Sequence, residues 1–452
     1  MRKILLLLTI AIVTLAAYAQ DVPSEMKPYV QLWYKVKIDT YNRPSINNGK
    51  IMRYGNLINS ETREINIGSG TIVSKTGLIL TNYHVYNYQG ETSYDDKRNI
   101  LYVVQPVNKE MVVYELSDND PLKEPVRKYT AEMLAFDSRL DVTLLKITKD
   151  AQTGKPLKNV KFPFVKFGNP FDMKINSVIT IIGYPGKGGD TVTITDGKFL
   201  GYYKSKDTGS IDGYIKTNAY MAPGNSGGTA LFDGYMIGIP TAVSLPSSAG
   251  SDFGYVHPIT WAAGVLSLAA LKFNEDVPEI PYDWMVSDYN TDETKTKILV
   301  AGFIETAEAK RPVKNGIVVI KRNDRTIDQI KELDNEITSV KSVYIVQSLY
   351  KQGVSIQEIA SQYSLTEPKV QKYLRTTINE NALSDDAKRY FAGEFFYEVS
   401  ETDADGFYIM KVPRNGNYDV TAIKDGYRVV EKKIKTKKDI RQQVDKIVLY
   451  KY

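Results

Sequence analysis

The segment at residues 222–228, APGNSGG, holds Ser226 between glycines and behind a proline, with almost no side-chain bulk around it. Glycine is favoured where the backbone adopts unusual dihedral angles or approaches another group closely. A serine in such a segment presents its hydroxyl and the neighbouring N–H groups to a reactant, which is typical of a hydrolase nucleophile. An ordinary polar turn has the same composition, so the segment alone leaves both interpretations open.

A serine nucleophile needs a base, because its hydroxyl must lose a proton as it attacks. The chain has two histidines, His84 and His257. His84 follows a β-rich run in a small polar stretch. His257 lies in the apolar stretch GYVHP, where a packed, hydrogen-bonded histidine is expected. The sequence therefore favours His84 as the base.

Two aspartates compete for the role of the acid that orients this imidazole. Asp141 stands at the head of the apolar strand DVTLLKI, and Asp137 stands in the turn FDSRL before it. A buried strand head fixes a carboxylate better than a turn does, which favours Asp141. The predicted catalytic residues are therefore His84, Asp141 and Ser226.

Short β-rich runs separated by turn residues position these side chains. Many short strands, with no long helical period before residues 259–271, indicate an antiparallel barrel or sandwich. Prolines and acidic residues at 275–289 predict a domain boundary. Beyond it, β-rich runs on both sides of a helical stretch at about 327–387 predict a small β-sandwich with a helical insert.

Composition and the first residues limit the class of protein. The chain of 452 residues has no cysteine, which excludes disulfides and a cysteine nucleophile, and its net charge of +5 gives no support for nucleic-acid binding. Two basic residues, an apolar run and Ala17-Tyr18-Ala19 predict a signal peptide at 1–19 and export to a bacterial periplasm or the medium. The apolar run is too short for a good membrane anchor, so no transmembrane span is expected in the mature chain.

Four motifs in the order His, Asp, Ser resemble trypsin-like serine endopeptidases of the HtrA (Deg) type: GSGTIV at 68–73, LTNYHV at 80–85, DVTLLKI at 141–147 and PGNSGG at 223–228. The resemblance covers about residues 61–272. It implies a mainly β, chymotrypsin-like fold of two six-stranded antiparallel barrels with the site in the cleft between them. It also implies the triad above, an oxyanion hole formed by the N–H groups of Gly224 and Ser226, protein or peptide substrates, and neither cofactor nor metal.

The same resemblance suggests a pocket for the substrate side chain that precedes the cut. Tyr220, six residues before the nucleophile, would form its base, and Thr241, Ala242 and Val256 would form its walls. None of these residues is acidic, so we expect a neutral substrate residue rather than Lys or Arg. The alternative is that Tyr220 is simply a core residue.

The chain departs from the family after Phe273, where we find no PDZ pattern. Residues 296–452 resemble instead a transthyretin-like or carboxypeptidase-regulatory-like β-sandwich, because Asp-Gly and Asn-Gly turns there are flanked by aromatic residues. The spacing of Glu401, Asp403 and Asp405 imitates the opening of a calcium loop. Its twelfth position is Val412 rather than a bidentate glutamate, so no metal is predicted.

Within the insert, residues 342–374 resemble a helix-turn-helix. An exported chain with a sparse basic face here favours a packed helical hairpin, and no nucleic-acid partner is predicted. The expected order is a signal peptide at 1–19, an N-terminal extension at 20–60, a protease domain at 61–274, a linker at 275–295 and the C-terminal sandwich at 296–452.

We therefore expect an exported serine endopeptidase. The alternative is a binding, chaperone-like or surface adhesion protein whose protease domain is inactive or is held inactive by residues 21–60. The C-terminal region suggests a partner at the envelope or surface, and the resemblance suggests a homo-oligomer.

Overall fold

The structure is a computed structural model. The predicted signal peptide lies outside the described residues. The structure describes residues 25–47, 50–186, 191–203, 213–241, 253–285, 297–322, 325–351, 355–362, 365–376, 383–391, 396–436 and 441–452.

A ring of six antiparallel strands forms the first barrel, in the order β1-β4-β5-β9-β8-β7, and β7 pairs back onto β1 to close it. β6 is added along β7, and β2 and β3 form a small hairpin between β1 and β4. The strands are β1 (Tyr29–Asn42), β2 (Ser45–Asn47), β3 (Lys50–Arg53), β4 (Asn56–Ile72), β5 (Leu78–Thr81), β6 (Glu91–Asp95), β7 (Ile100–Glu115), β8 (Val126–Asp137) and β9 (Val142–Asp150).

The position of β1 differs from the expected N-terminal extension. β1 pairs with β4 and with β7 over most of its length, and its buried residues alternate toward the barrel core, at Leu32, Tyr34, Val36 and Ile38. The expected domain boundary at residue 61 falls inside β4. Residues 29–47 and 50–60 are thus a structural part of the barrel and its hairpin, so their position gives no support for an inhibitory segment.

A second closed barrel follows, in the order β10-β11-β12-β15-β14-β13. The prediction of two six-stranded antiparallel barrels is therefore confirmed. The strands are β10 (Val178–Gly183), β11 (Thr193–Tyr202), β12 (Ile215–Thr217), β13 (Thr229–Phe232), β14 (Tyr235–Thr241) and β15 (Gly254–Pro258).

The C-terminal region is rich in β-structure and contains two four-stranded sheets that share one apolar core, and its assignment as a β-sandwich stays a prediction. The first sheet contains β16 (Lys297–Thr306), β19 (Phe407–Pro413), β22 (Arg441–Gln443) and β23 (Ile447–Leu449), and the second contains β17 (Ile317–Arg322), β18 (Phe396–Glu401), β20 (Asn417–Ile423) and β21 (Val430–Lys435). The likeness to a transthyretin-like domain stays a prediction.

Eight helices occur in the part of the chain that the structure describes, and none of them is long and apolar enough to cross a membrane. The helical insert lies between β17 and β18, as the sequence predicts. The helices are α1 (Tyr83–Tyr86), a 3-10 helix at Ile259–Ala262, α2 (Ala263–Phe273), α3 (Tyr282–Met285), α4 (Ile327–Lys351), α5 (Ile356–Gln362), α6 (Glu367–Arg375) and α7 (Asp385–Phe391).

Helix α2 joins the barrels to the C-terminal sheets. Leu271 on this helix forms an apolar cluster with Ala301 on β16 and Phe407 on β19. The neighbouring Lys272 ammonium lies 2.5 Å from the carboxylate of Asp403. Asp403, which the sequence placed in a calcium-like stretch, therefore forms an ion pair across this contact.

Candidate active site

His84 lies on α1, the four-residue helix that follows β5. Val85 and Tyr86 are buried and fix this helix to the first barrel, and the Tyr34 hydroxyl donates to the carbonyl of Tyr86. The His84 side chain stays half exposed, at 50 % of its accessible surface. The local sequence thus anchors the helix through its apolar positions and leaves the imidazole open to solvent.

Asp141 holds His84 through both carboxylate oxygens. Oδ1 accepts a hydrogen bond from the backbone N–H of His84 at 2.9 Å, and Oδ2 lies 2.8 Å from Nδ1 of the imidazole. This two-point contact fixes the ring orientation and assigns the proton to Nδ1, which leaves Nε2 as the basic atom. The structure therefore brings the predicted base and acid together.

The competing carboxylate, Asp137, accepts hydrogen bonds within the turn in which it stands. Its Oδ1 accepts hydrogen bonds from the backbone N–H groups of Arg139 and Leu140, at 3.0 and 2.9 Å. Such an Asx-type turn ends β8 and delivers the chain to Asp141. Asp137 thus shapes the loop that presents Asp141 to His84.

Backbone contacts from both barrels hold the loop of Ser226 in place. The carbonyl of Ser226 accepts a hydrogen bond from Ser69 N–H at 2.9 Å, and Gly227 N–H donates to the carbonyl of Pro240 at 3.1 Å. Ser226 is buried, at 6 % exposure. The predicted nucleophile therefore lies at the junction of β4 from the first barrel and β14 from the second.

Two glycines of this loop are required by close approach as well as by dihedral angle. Gly224 has φ of 107°, and a Cβ there would lie 2.5 Å from the carbonyl oxygen of Tyr184. Gly227 has φ of 82°, and its Cβ would lie 2.1 Å from Oγ1 of Thr81. Any other residue would meet a backbone penalty and a collision at either position.

Gly68 marks where α1 and the nucleophile loop meet. A Cβ on this glycine would lie 2.9 Å from the side chain of Val85, next to His84, and 3.1 Å from the carbonyl oxygen of Ser226. Only a residue without a side chain lets the two segments pack this closely. Gly68 therefore lets the residue that follows the predicted base pack close to the backbone of the predicted nucleophile.

Ser69 is a structural residue of the site that the sequence did not single out. Its hydroxyl donates to the carbonyl of Gly224 at 2.6 Å and accepts from the N–H of Tyr184 at 2.8 Å. It therefore fixes the peptide between Gly224 and Asn225, which lies between the two predicted oxyanion donors. The signal was present in the motif Gly68-Ser69-Gly70, where two glycines around a small polar residue indicate close packing of backbones.

The predicted pocket residues occupy contrasting environments. The side chain of Tyr220 is 68 % exposed, so it is not a core residue, and the residues described around it do not enclose it as a pocket floor. Thr241 and Val256 are fully buried, and Ala242 lies outside the described residues. The side chain that packs against Gly254 is Met221, since a Cβ on this glycine would lie 2.2 Å from its Cε.

The second histidine lies behind Asp141 and is buried, as the sequence indicates. Nδ1 of His257 lies 3.3 Å from Nδ2 of Asn82. Burial lowers the pKa of His257 to about 4, and His84 acts in the same direction, while Asp141 opposes it. Burial, with the Asp141 charge adding to it, also raises the pKa of the nearby Tyr214 to about 12. Both groups are therefore neutral near pH 7.

His84, Asp141 and Ser226 carry the chemical groups that proton transfer and nucleophilic attack need. His84 presents a basic nitrogen, Asp141 balances the charge that forms on it, and Ser226 supplies a hydroxyl. In the described part of the chain, no group of three or more His, Asp or Glu residues could hold a metal ion.

Comparison with known proteins gives one family model and several relatives. Residues 68–239 match the model described as a trypsin-like peptidase domain. A relative from Rickettsia prowazekii, a probable periplasmic serine endoprotease DegP-like, is 28 % identical over 60 % of this chain and 48 % of its own length. A relative from Haemophilus influenzae, a probable periplasmic serine protease do/HhoA-like, is 22 % identical over 60 % of this chain and 53 % of its own.

The chain thus spans about half the length of the curated relatives it matches. Among solved structures, the HtrA-type protease AlgW with decapeptide is similar at 25 % sequence identity, over 55 % of this chain and 65 % of that chain, with a TM-score of 0.36.

Proposed function

We propose that this protein, which carries a trypsin-like peptidase domain at residues 68–239, is a serine endopeptidase that cleaves protein substrates through an acyl-enzyme intermediate. The observation that supports this most directly is the two-point contact between Asp141 and His84. The contact lies close to the glycine-rich loop of Ser226, because Val85, which follows His84, and the carbonyl of Ser226 both lie near Gly68. The order His, Asp, Ser along the chain agrees with the trypsin-like match.

In the proposed reaction, Ser226 Oγ attacks the substrate carbonyl carbon while Nε2 of His84 takes the hydroxyl proton. Asp141 stabilises the imidazolium that forms, and the imidazolium then gives its proton to the leaving amine as the peptide bond breaks. A water molecule repeats the sequence on the acyl-enzyme, with His84 again as the base. The two contacts of Asp141 support this role because they hold Nδ1 protonated and Nε2 free to accept.

We assign the oxyanion hole to the N–H groups of Gly224 and Ser226. Ser69 supports this assignment because its hydroxyl holds the carbonyl of Gly224 and so limits rotation of that loop. Loss of one such donor costs about 10²–10³-fold in rate, since the donor acts on charge that develops in the transition state.

We assign the protein to the periplasm or the medium and its substrates to unfolded or partly unfolded proteins. The printed names of the curated relatives, which describe periplasmic proteases, support this location. For the substrate residue that precedes the cut we propose a neutral side chain, since none of the residues predicted for the pocket is acidic. The C-terminal region, packed on α2, would position substrate or bind an envelope partner.

A labelling experiment tests the assignment. Residues 20–452 should cleave an unfolded protein and react covalently with a fluorophosphonate, because the reagent needs an activated serine. Ser226→Ala should abolish both activities, whereas the matched control Ser93→Ala, at an exposed position on β6, should retain them. Equal labelling of the wild type and Ser226→Ala would overturn the proposal.

A further inference from the structure

The backbone of Asp141 adopts a conformation that needs support. Its φ is 52°, in the left-handed region that residues with a Cβ rarely adopt. This turn of the backbone points the carboxylate at His84, where its two oxygens accept from the backbone N–H and meet Nδ1. Whatever holds the Asp141 backbone therefore also sets the position of the general base.

Asn82 holds this backbone from the buried side. Its Nδ2 donates to the carbonyl oxygen of Asp141 at 3.0 Å, and Asn82 itself is fully buried two residues before His84. Its Oδ1 is buried without a hydrogen-bond partner among the described residues. The orientation of this amide therefore depends on what Nδ2 meets.

His257 supplies the second acceptor for the same nitrogen. Nδ1 of the imidazole lies 3.3 Å from Nδ2 of Asn82, so the two N–H bonds of the amide each have one acceptor. Rotating the amide by 180° would place Oδ1 against a carbonyl oxygen and a ring nitrogen, which both repel it. The two acceptors together select one orientation of Asn82.

The surroundings of His257 keep its ring neutral. The ring is buried, and its centre lies 5.2 Å from the ring of Tyr214 and 5.0 Å from that of Trp261. Such an enclosure disfavours the charged imidazolium, and the depressed pKa of His257 agrees with it. A neutral ring with an unprotonated Nδ1 carries its proton on Nε2.

We propose that His257 is a positioning residue for catalysis: through Asn82 it holds the left-handed backbone of Asp141, and so keeps the carboxylate in two-point contact with His84. The inference rests on the proposed function for its catalytic consequence. The contact itself is independent of activity. His257 acts through two other residues and does not touch the reacting atoms.

The imidazole state of His257 is the first test. Because the chain has two histidines, ¹⁵N-histidine labelling gives two imidazole signal sets, and His84→Gln assigns them. We expect Nδ1 of His257 to be unprotonated and Nε2 to be protonated at neutral pH in the wild type. A protonated Nδ1 would overturn the inference, because Asn82 could then not donate to it.

Two substitutions separate the acceptor from the packing. His257→Phe keeps an aromatic ring against Tyr214 and Trp261 but removes the acceptor. His257→Asn loses the ring but can place an amide oxygen where Nδ1 was. We expect His257→Phe to lower kcat and the fluorophosphonate labelling rate about 10-fold with KM unchanged, as for loss of one buried hydrogen bond, and His257→Asn to restore most of this loss.

A purely structural role for His257 predicts the reverse order, with His257→Asn the more damaged variant. That order, or equal activity of both variants and the wild type, would overturn the inference. If neither variant folds, the ¹⁵N measurement on the wild type still decides it. A wild type that fails to label with the fluorophosphonate would overturn the proposed function instead, while the imidazole state of His257 would still test the contact.

Discussion

The two sides of Asp141 carry the two histidines of the chain in opposite environments. On the cleft side, His84 is half exposed and contacts the carboxylate. On the inner side, His257 is buried between aromatic rings and reaches the Asp141 backbone only through Asn82. The same side chain is thus suited to exchange protons in one place and to accept a fixed hydrogen bond in the other. The two histidines differ in their access to solvent and in the charged group that lies nearest to the ring.

This difference predicts that the two sides fail in different ways. A change on the cleft side should remove activity and leave stability almost unchanged, because an exposed side chain contributes little to folding. A change on the inner side should alter stability strongly and activity less. The predictions that follow run from the largest expected effect to the smallest.

Replacing His84 tests the cleft side. We expect His84→Gln to lower kcat by about 10⁶-fold, because the general base is lost, and to change the free energy of unfolding by less than about 0.5 kcal/mol. Peptide hydrolysis rates and thermal unfolding measure the two quantities. If His84→Gln lost much stability and little kcat, the proposed difference between the cleft side and the inner side of Asp141 would be wrong.

Replacing Asp141 affects both sides at once. Asp141→Asn should lower kcat by about 10⁴-fold, since an amide cannot balance the imidazolium charge, but it should fold normally because Asn tolerates a left-handed backbone. Asp141→Ala should in addition lower the free energy of unfolding by about 1–2 kcal/mol, because the φ of 52° is strained for alanine. Equal stability of the two variants would contradict this role of the backbone angle.

Acid should destabilise the inner side through His257. Its pKa is about 4 in the folded chain against an ordinary value of 6.5, so the unfolded chain binds the extra proton between these values. The free energy of unfolding should therefore fall as the pH drops from about 6.5 to about 4, by on the order of 3 kcal/mol from this group. Denaturant titrations of the wild type and His257→Phe at several pH values isolate the effect. If the free energy of unfolding changed with pH in the same way for both proteins, this prediction would be contradicted.

Much of the site could be predicted because its signals are local. The glycines around Ser226 and the placement of Asp141 at a strand head are visible within a few residues. The choice of Asp141 over Asp137 followed from strand position, and the contact with His84 agrees with that choice. Short β-rich runs separated by turn residues likewise predicted an antiparallel barrel or sandwich.

The features that the sequence did not predict depend on distant contacts. The contact between Asn82 and His257 joins residues 175 positions apart, and nothing near either residue indicates it. β1 was placed outside the barrel because its partners β4 and β7 are set by packing, not by its own pattern. The exposure of Tyr220 also depends on its distant neighbours, and its assignment to a pocket base stays a prediction.

The strand β1 also sets how far the N-terminus can be shortened. Met26 is buried and its N–H donates to the side chain of Asn119, and β1 begins three residues later, at Tyr29. A maturation cut near residue 20 leaves these contacts intact. A cut within β1 would remove pairs that this strand makes with β4 and β7 and so weaken the closure of the ring. Trimming into β1 by another protease should therefore destabilise the first barrel irreversibly, because the lost residues cannot be replaced.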